Sequence, residues 1–375
     1  MTALSNLRRI EVADILEKLP DIKPLDVRRH MVGKKEELFL AALGFEDRCP
    51  WISELLAEEQ KYRVTRAIYF EYETNQNDND MNRPRLVNAL ESLTTQVRSM
   101  PCDSNEFASQ LREILSEVCS TGSNLPMVTF DISVCSSRLL ITVLTVLLEF
   151  DISLRVVYSE AGLYHPTKKE YDAHPDKWTS DDKLGLARGV STVTRSPDHP
   201  GSRRDVLPEA AIVFPTFKPE RIRAILADID ESLLMKPKKR VVWLIGEPHL
   251  PEDHWRTDVQ QRINDIPASA PVYKVSTFDY KKTLEILERV YQPIDCKYLV
   301  NIAPLGSKMQ SLGVVLFWYI HPEVSIYFAS PREYNAVQYS EGCKATWRVE
   351  FGDVNGIRKF LRSVGELRIQ NDIVP

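Results

Sequence analysis

The chain has 375 residues, of which 43% are hydrophobic and 27% are charged, so a folded globular protein is expected and a disordered one is excluded. The length allows two or three domains. The formal net charge of -5 and the pI of about 5.9 argue against an extended nucleic-acid surface, which needs a basic excess.

Residues 1–35 have a charged, amphipathic pattern that predicts a helical lead rather than a signal peptide. The longest apolar runs, LLITVLTVLLEF and SLGVVLFWYI, are shorter than the ~20 residues of a membrane span, so they predict buried helices and no membrane contact. The six cysteines are far apart and form no CxxC pair, which indicates reduced thiols in a cytoplasmic protein.

Residues 36–173 alternate short apolar segments with helical patterns. The segments LFLAAL, AIYFEY, a weaker one near VRSM, MVTFDI and LRVVYS predict strands that are apolar on both faces. Such strands are typical of a parallel sheet covered by helices. The alternation with helices then predicts a right-handed, doubly wound Rossmann-like unit.

Residues 174–208 are polar and rich in proline and glycine, which predicts a linker or an insert. Residues 209–375 repeat the earlier pattern, with strand candidates AAIVFP, VVWLIG, VYKVS, KYLVNI and VSIYFA. The sequence therefore predicts an α/β protein with two tandem Rossmann-like units, each built on a doubly wound parallel sheet.

The two units also resemble each other residue by residue, which favours an internal duplication. When Asp131 is placed on Asn301, Arg138 falls on Lys308, and KEYDA meets REYNA after a seven-residue insertion in the first copy. Apolar runs can match by chance, but chance accounts poorly for the whole order of elements.

Ligands of open parallel sheets bind beyond the carboxyl ends of the strands, near the switch in strand order. That rule selects loops such as GFEDR and DISVCSSR in the first unit and TFKPER, NIAPLGSK and ASPREYN in the second. The residues from which we expect ligand contacts are Gly44, Asp47, Arg48, Asp131, Ser133, Ser137, Arg138, Thr216, Asn301, Gly306, Ser307, Lys308 and Tyr334.

DISVCSSR and NIAPLGSK are the strongest candidates because each combines a polar strand end, small residues and a cation. Asp131 and Asn301 are expected to end their strands, where they can cap a helix or bind a sugar hydroxyl. Serines at a helix N-terminus favour anions, and Arg138 and Lys308 can neutralise a phosphate. The alternative is that these residues are ordinary caps and solvated cations. For Arg48 the alternative is a salt bridge within GFEDR, and for Tyr334 it is packing between the units.

Other common sites are not expected. Neither GxGxxG nor GxxxxGK[ST] occurs, and the chain has only 14 glycines, so ordinary dinucleotide binding and P-loop ATP hydrolysis are disfavoured. HLPEDHW lacks the HExxH spacing, so we expect no metal and no cofactor. No Ser/His/Asp or Cys/His set stands out, and no catalytic residue is assigned.

At DISVCSSR and NIAPLGSK the sequence resembles the CRISPR-associated Rossmann-fold sensor domains, called CARF, and the related two-copy SAVED sensors of bacterial antiviral signalling. Those domains carry an acidic residue or Asn, then Ser or Thr, then a nearby Lys or Arg after the fourth strand. They also often have a small-residue loop that ends in Lys. Asp131, Ser133 and Arg138 match the first pattern with one extra residue before the cation. In the second loop, which Lys308 ends, Ala303 stands where a hydroxyl is expected.

The resemblance implies a pseudo-dimer whose loops face one shared pocket for a cyclic nucleotide or a short cyclic oligonucleotide. It also implies a separate effector protein as partner, because the sequence shows no effector domain. The contacts it implies are ribose or phosphate binding by Asp131, Ser133, Asn301 and Ser307, and phosphate neutralisation by Arg138 and Lys308.

Two other functions stay open from the sequence. One is an enzyme that processes a nucleotide or nucleoside, with Glu46, Asp47, Glu71 and Asp131 as candidate acids or bases. The other is a scaffold subunit of a multi-protein assembly, which makes contacts through its linker and its N-terminal helix.

Overall fold

We analysed a computed structural model of the chain, which describes residues 12–31, 33, 35–59, 61–120, 125–173, 187–202, 207–235 and 239–372. Parts of the predicted lead and of the predicted linker lie outside these residues. The strands are β1 (Lys23–Pro24), β2 (Lys35–Leu43), β3 (Arg63–Glu71), β4 (Val97–Pro101), β5 (Met127–Asp131), β6 (Ser153–Tyr164), β7 (Ala187–Arg188), β8 (Thr192–Arg195), β9 (Glu209–Val213), β10 (Val241–Glu247), β11 (Val272–Ser276), β12 (Leu299–Ala303), β13 (Ser325–Ser330), β14 (Glu333–Tyr334) and β15 (Ser340–Asp353).

Helices follow most of the parallel strands and cover both faces of the sheets. They are α1 (Val12–Lys18), α2 (Val27–His30), α3 (Trp51–Glu58), α4 (Gln76–Asp80), α5 (Arg83–Leu93), α6 (Phe107–Ser120), α7 (Ser137–Leu147), α8 (Lys168–Ala173), α9 (Pro219–Ile229), α10 (Ser232–Met235), α11 (Trp255–Ile263), α12 (Tyr280–Tyr291), α13 (Lys308–Ile320) and α14 (Val354–Asp372), with short 3-10 turns at Pro251–Asp253 and Ala336–Gln338.

Within the described residues the strands form a seven-stranded sheet in the order β1-β15-β6-β5-β2-β3-β4 and a six-stranded sheet in the order β11-β10-β9-β12-β13-β8. In the first sheet β4, β3, β2, β5 and β6 are parallel neighbours, and in the second sheet β11, β10, β9, β12 and β13 are. Numbered within its own unit, each parallel set has the order 3-2-1-4-5. The predicted fold of two Rossmann-like units is confirmed, and the shared strand order is what a duplication produces.

The sheets are mixed because each carries an antiparallel strand next to its fifth parallel strand, and these two strands are exchanged between the units. β8 follows the first unit in sequence but pairs with β13 of the second sheet. β15 follows the fifth strand of the second unit but pairs with β6 of the first sheet. The predicted boundaries, 36–173, 174–208 and 209–375, stay a prediction about domains, but the sheets do not divide along them.

The two units share a hydrophobic core built around α7 and α13. Both helices are apolar on nearly all sides, and such helices are stable only when they are buried on all sides. They pack against each other between the two sheets, and the Tyr319 hydroxyl of α13 donates a hydrogen bond of 2.9 Å to the Thr145 carbonyl of α7. Their N-terminal ends are thereby brought to the same region of the molecule. Among the described residues, no helix is both long enough and apolar enough to cross a membrane.

Candidate functional site

A cavity of about 390 Å³ lies between the two units, at the carboxyl ends of their parallel strands. Its walls include the loops after β2 and β5 in the first unit and after β9 and β12 in the second. In both units these are the loops at the switch point between the first and fourth strands, where open parallel sheets bind ligands. The cavity is therefore placed by the topology and is lined by both units.

The helices α7 and α13 begin at the cavity, and each is capped by a serine. Ser136 accepts a hydrogen bond of 3.2 Å from the Leu139 N–H. Ser307 accepts one of 3.1 Å from the Gln310 N–H, and the Gln310 side chain accepts one of 2.8 Å from the Ser307 N–H. This reciprocal pair is a capping box, and it fixes the loop before α13.

Gly306 serves this capping box. A Cβ at residue 306 would collide with Oε1 of Gln310 and would lie 3.3 Å from the Cβ of Phe214. The glycine therefore has a local reason, because only glycine leaves room for the folded-back Gln310 side chain.

Arg138 and Lys308 line the cavity, and neither makes an ion pair or a hydrogen bond through its side chain within the described part of the chain. Both side chains are half-buried. Burial lowers the pKa of Lys308 to about 8, while the carboxylate of Glu46 acts to raise it and the guanidinium of Arg48 to lower it. Unpaired, partly desolvated cations of this kind are suited to an anionic ligand.

Arg48 lines the cavity too, but its donors are occupied. Its Nε and Nη2 donate to one carboxylate oxygen of Glu46 at 3.0 and 2.7 Å, and its Nη1 donates to the Ser159 carbonyl at 2.6 Å. Burial opposes the charge of Arg48, but Glu46 holds its pKa well above the ordinary value. The salt bridge within GFEDR that the sequence left open is therefore present.

Arg221, which the sequence prediction missed, occupies the matching place in the second unit. Its Nε and Nη2 donate to the Ala329 carbonyl at 3.0 and 2.6 Å. Ser159 and Ala329 are equivalent positions of the fifth strands, since both directly follow the aligned pair Tyr158 and Phe328. The signal was the Arg that ends TFKPER, one residue beyond the position that falls on Arg48 when Thr216 is placed on Gly44.

Four of the expected contact residues lie outside the cavity lining, and their side chains bond within the protein. Asp131 accepts hydrogen bonds from the N–H and the hydroxyl of Ser133, and that hydroxyl accepts the Ser159 N–H at 2.8 Å. Asp47 accepts a hydrogen bond of 3.1 Å from the Gly342 N–H. The fourth residue is Asn301.

The expectation that Asn301 ends its strand was wrong. It lies in the middle of β12, and its amide donates to Glu209 at 2.7 Å and to the Ala210 carbonyl at 3.0 Å. The pairing with the fifth strand matches Asn301 to Thr129 rather than to Asp131. The sequence comparison was shifted by two residues here, and a shift of two leaves every side chain on the same face of a strand.

Asp131 itself is buried, and burial raises its pKa to about 6, against the lowering effect of its hydrogen bonds from Ser133. Its Oδ2 has no hydrogen-bond partner among the described residues. Asp131 thus lies beneath the loop as a support for Ser133 and does not line the cavity.

The remaining expected residues all line the cavity. Its lining contains Gly44, Arg48, Ser137, Arg138, Thr216, Gly306, Ser307, Lys308 and Tyr334. The Thr216 hydroxyl is engaged locally with the backbone of Lys218, at 3.0 and 3.1 Å. That these residues bind a ligand stays a prediction.

Aromatic rings form another part of the lining. Phe45, Tyr334 and Tyr339 pack against one another with ring centroids 5.4 to 6.2 Å apart. The segment that carries the two tyrosines follows the second unit and crosses to the first. There the Asn75 amide donates to the Tyr334 carbonyl at 2.8 Å and accepts the Tyr334 N–H at 2.7 Å.

Among the described residues, no cluster of His, Cys, Asp and Glu side chains is arranged to hold a metal ion. In the HLPEDHW segment His249 lies 3.1 Å from a carboxylate oxygen of Glu160, and its ring stacks on Phe278 with centroids 4.4 Å apart.

No protein-family model matches the sequence, and no characterised protein matches it in sequence. Among solved structures, the cytoplasmic domain of a prokaryotic cation chloride cotransporter matches 80% of this chain and 96% of its own, with 6% identity and a TM-score of 0.24. The UDP-GlcNAc 2-epimerase of Methanocaldococcus jannaschii, solved with UDP-GlcNAc and UDP, matches 89% of this chain and 100% of its own, with 10% identity and a TM-score of 0.24. At such TM-scores the two likenesses carry no statement about ligand or activity.

Proposed function

We propose that the protein binds a nucleotide in the cavity between its two units and acts as a sensor module. The observation that carries this proposal is the combination, in one cavity, of unpaired cations with aromatic rings. Cations without a protein partner suit phosphate oxygens, and aromatic faces suit nucleobases, whose stacking contributes about 1–3 kcal/mol per base. The volume lies within the range of about 300–1,000 Å³ that is usual for small-ligand sites.

Binding is favoured over turnover because the candidate acids and bases are already engaged. Glu46 and Glu71 are each ion-paired with an arginine. Asp47 accepts a backbone hydrogen bond, and Asp131 lies outside the cavity lining. To take up a proton, Glu46 and Glu71 would have to give up their arginines, and Asp131, whose Oδ2 has no partner among the described residues, does not line the cavity from which a substrate would be reached.

The resemblance to CARF and SAVED sensors supports a finer proposal. The ligand is then a cyclic nucleotide or cyclic oligonucleotide, and its binding is relayed to a separate effector protein in bacterial antiviral defence. Co-expression with the neighbouring genes, followed by phage challenge, tests this part. Protection that survives the loss of Arg138 and Lys308 together contradicts it.

Isothermal titration against cyclic mono-, di- and oligonucleotides tests the binding itself. Replacing Arg138 and Lys308 together by Ala should weaken binding by at least about a hundredfold, since a hydrogen bond to a charged group contributes about 1.5–3 kcal/mol. The matched control replaces the exposed Arg223 and Lys282, whose ion pairs lie on the surface, and should leave the affinity unchanged.

Two results contradict the proposal: no nucleotide binds, or the double cavity variant binds as tightly as the wild type. Mass spectrometry of the ligand after incubation separates the sensor from the enzyme, since a sensor returns its ligand unaltered.

A further inference from the structure

His165 lies in the wall of the cavity, in the turn between β6 and α8. The backbone of this turn is fixed on both sides of the histidine, because Nη2 of Arg256 donates to the carbonyls of Tyr164 and Pro166 at 2.6 and 2.7 Å. The His165 N–H donates to the Tyr339 carbonyl at 3.2 Å. The residue is only 7% exposed, so its ring nitrogens depend on partners within the protein.

Both ring nitrogens of His165 face carboxylates. Nδ1 lies 2.8 Å from an oxygen of Glu170 on α8, and Nε2 lies 3.0 Å from an oxygen of Glu341 on β15. An ionised carboxylate only accepts hydrogen bonds, and a neutral imidazole carries a single N–H, so both contacts are hydrogen bonds only when the ring is protonated. Burial acts to lower the pKa of His165, but the bonds to the two carboxylates raise it above its ordinary value.

Other charged side chains on the elements that meet at this turn have partners of their own. Asp47 of the GFEDR loop accepts the Gly342 N–H at 3.1 Å. Among the described residues, His165 is the only cationic partner of Glu341. The remaining ion pairs on these elements are Lys168 with Asp172, Arg256 with Asp253, and Arg48 with Glu46.

The two carboxylates are held unequally. The Glu170 oxygen also accepts the Thr167 N–H at 2.6 Å, which fixes it at the start of α8. The Glu341 side chain has no second partner in the described part of the chain and is 59% exposed. When the ring loses a proton, the remaining N–H therefore stays on Nδ1 for Glu170. Glu341 then meets a nitrogen lone pair at 3.0 Å, and its contact is the one that is lost.

We propose that His165 is a proton-dependent clamp, which holds the crossing segment, residues 334–341, against the first unit when the ring is charged and loosens it when the ring is neutral. That segment carries Tyr334 and Tyr339 of the aromatic lining, so the clamp controls how often this part of the cavity wall opens. Because the pKa of His165 is raised, the clamp is complete below about pH 6.5, the ordinary value of histidine. It is lost as the pH rises through the value in the folded protein.

Hydrogen-exchange mass spectrometry of the ligand-free protein at about pH 6 and about pH 8.5 tests the clamp, with labelling times scaled for the intrinsic exchange rate. The opening of residues 334–341 should rise about two- to fivefold at the higher pH, the range that an exposed ion pair allows. Glu341→Gln should remove this rise, because an amide can accept from a charged ring and donate to a neutral one. Asp265→Asn, the control, removes an exposed carboxylate paired with Arg223 and should keep the rise.

A second variant and a second measurement make the test independent of one substitution. His165→Gln is neutral at both pH values and should give the faster exchange at both, and NMR titration of His165 should give a pKa above 6.5. Equal exchange of the wild type at the two pH values, a rise retained in Glu341→Gln, or a His165 pKa at or below 6.5 overturns the proposal. The opening is rare, so ligand affinity is not expected to follow it, and a failure of nucleotide binding leaves the clamp standing.

Discussion

In both units the fourth strand carries a polar residue that donates to a glutamate near the start of the first strand. Thr129 donates to Glu36 at 2.6 Å, and Asn301 donates to Glu209 at 2.7 Å. On the fifth strand the units differ, because Arg155 ion-pairs with Glu36 in the first, whereas the equivalent Ser325 bonds the Pro200 carbonyl at 2.9 Å in the second.

The comparison teaches that the two units kept the same strand order, while the charged residues buried in their sheets came to differ. The first unit holds an arginine inside its sheet, at the end of the strands away from the cavity, where Arg155 pairs with Glu36. The second unit has no such arginine among its described residues, although both units place cations at the cavity. Stability and ligand chemistry should therefore respond differently to matched substitutions in the two units.

The largest effect is expected from Glu36→Ala. Glu36 and Arg155 are both fully buried, and removing Glu36 leaves the guanidinium with the half-buried Glu350 as its remaining carboxylate partner, so a loss of about 3 kcal/mol is expected, at the low end for a broken buried pair. Glu209→Ala, the matched change in the second unit, removes a hydrogen bond from a half-buried position and should cost about 1–2 kcal/mol. Urea unfolding of the two variants measures the difference. Equal losses would show that the units do not differ in buried charge.

The next effect concerns pH and the cavity. Because burial lowers the pKa of Lys308 to about 8, the ammonium is mostly charged at pH 7 and mostly neutral at pH 9. Affinity for a cyclic phosphodiester, whose own charge is constant over this range, should fall about five- to tenfold from pH 7 to pH 9. Titration calorimetry at several pH values measures this fall. In Lys308→Arg the profile should be flat, and a wild-type slope retained in that variant would assign the pH dependence to another group.

A smaller effect separates the two helix caps. Ser136→Ala removes one cap hydrogen bond and should cost about 1 kcal/mol. Ser307→Ala also breaks the hydroxyl bond to the Thr277 carbonyl, at 2.5 Å, and loosens the capping box, so about 2 kcal/mol is expected. Thermal unfolding of both variants provides the comparison. A larger loss from Ser136→Ala would mean that the box adds nothing.

The smallest effect is local. Asn75 has a positive φ of 57°, which glycine adopts without strain, so Asn75→Gly keeps the backbone conformation of the turn and removes the two bonds to Tyr334 and the local bond to Asp78. Global stability should change by less than about 1 kcal/mol, while amide exchange at Tyr334 should rise about tenfold. Hydrogen-exchange mass spectrometry resolves this. Unchanged exchange there would show that the crossing segment is held by its other contacts alone.

The sequence predicted the two parallel sheets well, because strands that are apolar on both faces can be buried only in such sheets. Because the strands were found, the sequence also located the loops that follow them at the switch point. The residue-level match failed at Asn301, since a two-residue shift preserves the alternation of side chains and nothing local opposes it.

Two other features had no local signal. β15 lies between β1 and β6 and consists mostly of half-buried and exposed positions, and its sequence does not say which unit it will join. Which charged residues face the cavity depends on the fold, so the sequence did not show it. Glu46 lies in GFEDR and Arg221 in TFKPER, two loops that the sequence selected. The structure distinguishes these loops, because Arg48 pairs with Glu46 whereas Arg221 donates to the Ala329 carbonyl.

The exchange of β8 and β15 makes each half of the chain incomplete without the other. A chain severed between β8 and β9 would yield fragments whose sheets each lack one strand until they meet, because β8 completes the second sheet and β15 the first. The N-terminal fragment would lend β8 to its companion, and the C-terminal fragment would lend β15 in return. Such fragments should fold mainly as a complemented pair, which makes the molecule a natural candidate for a split reporter.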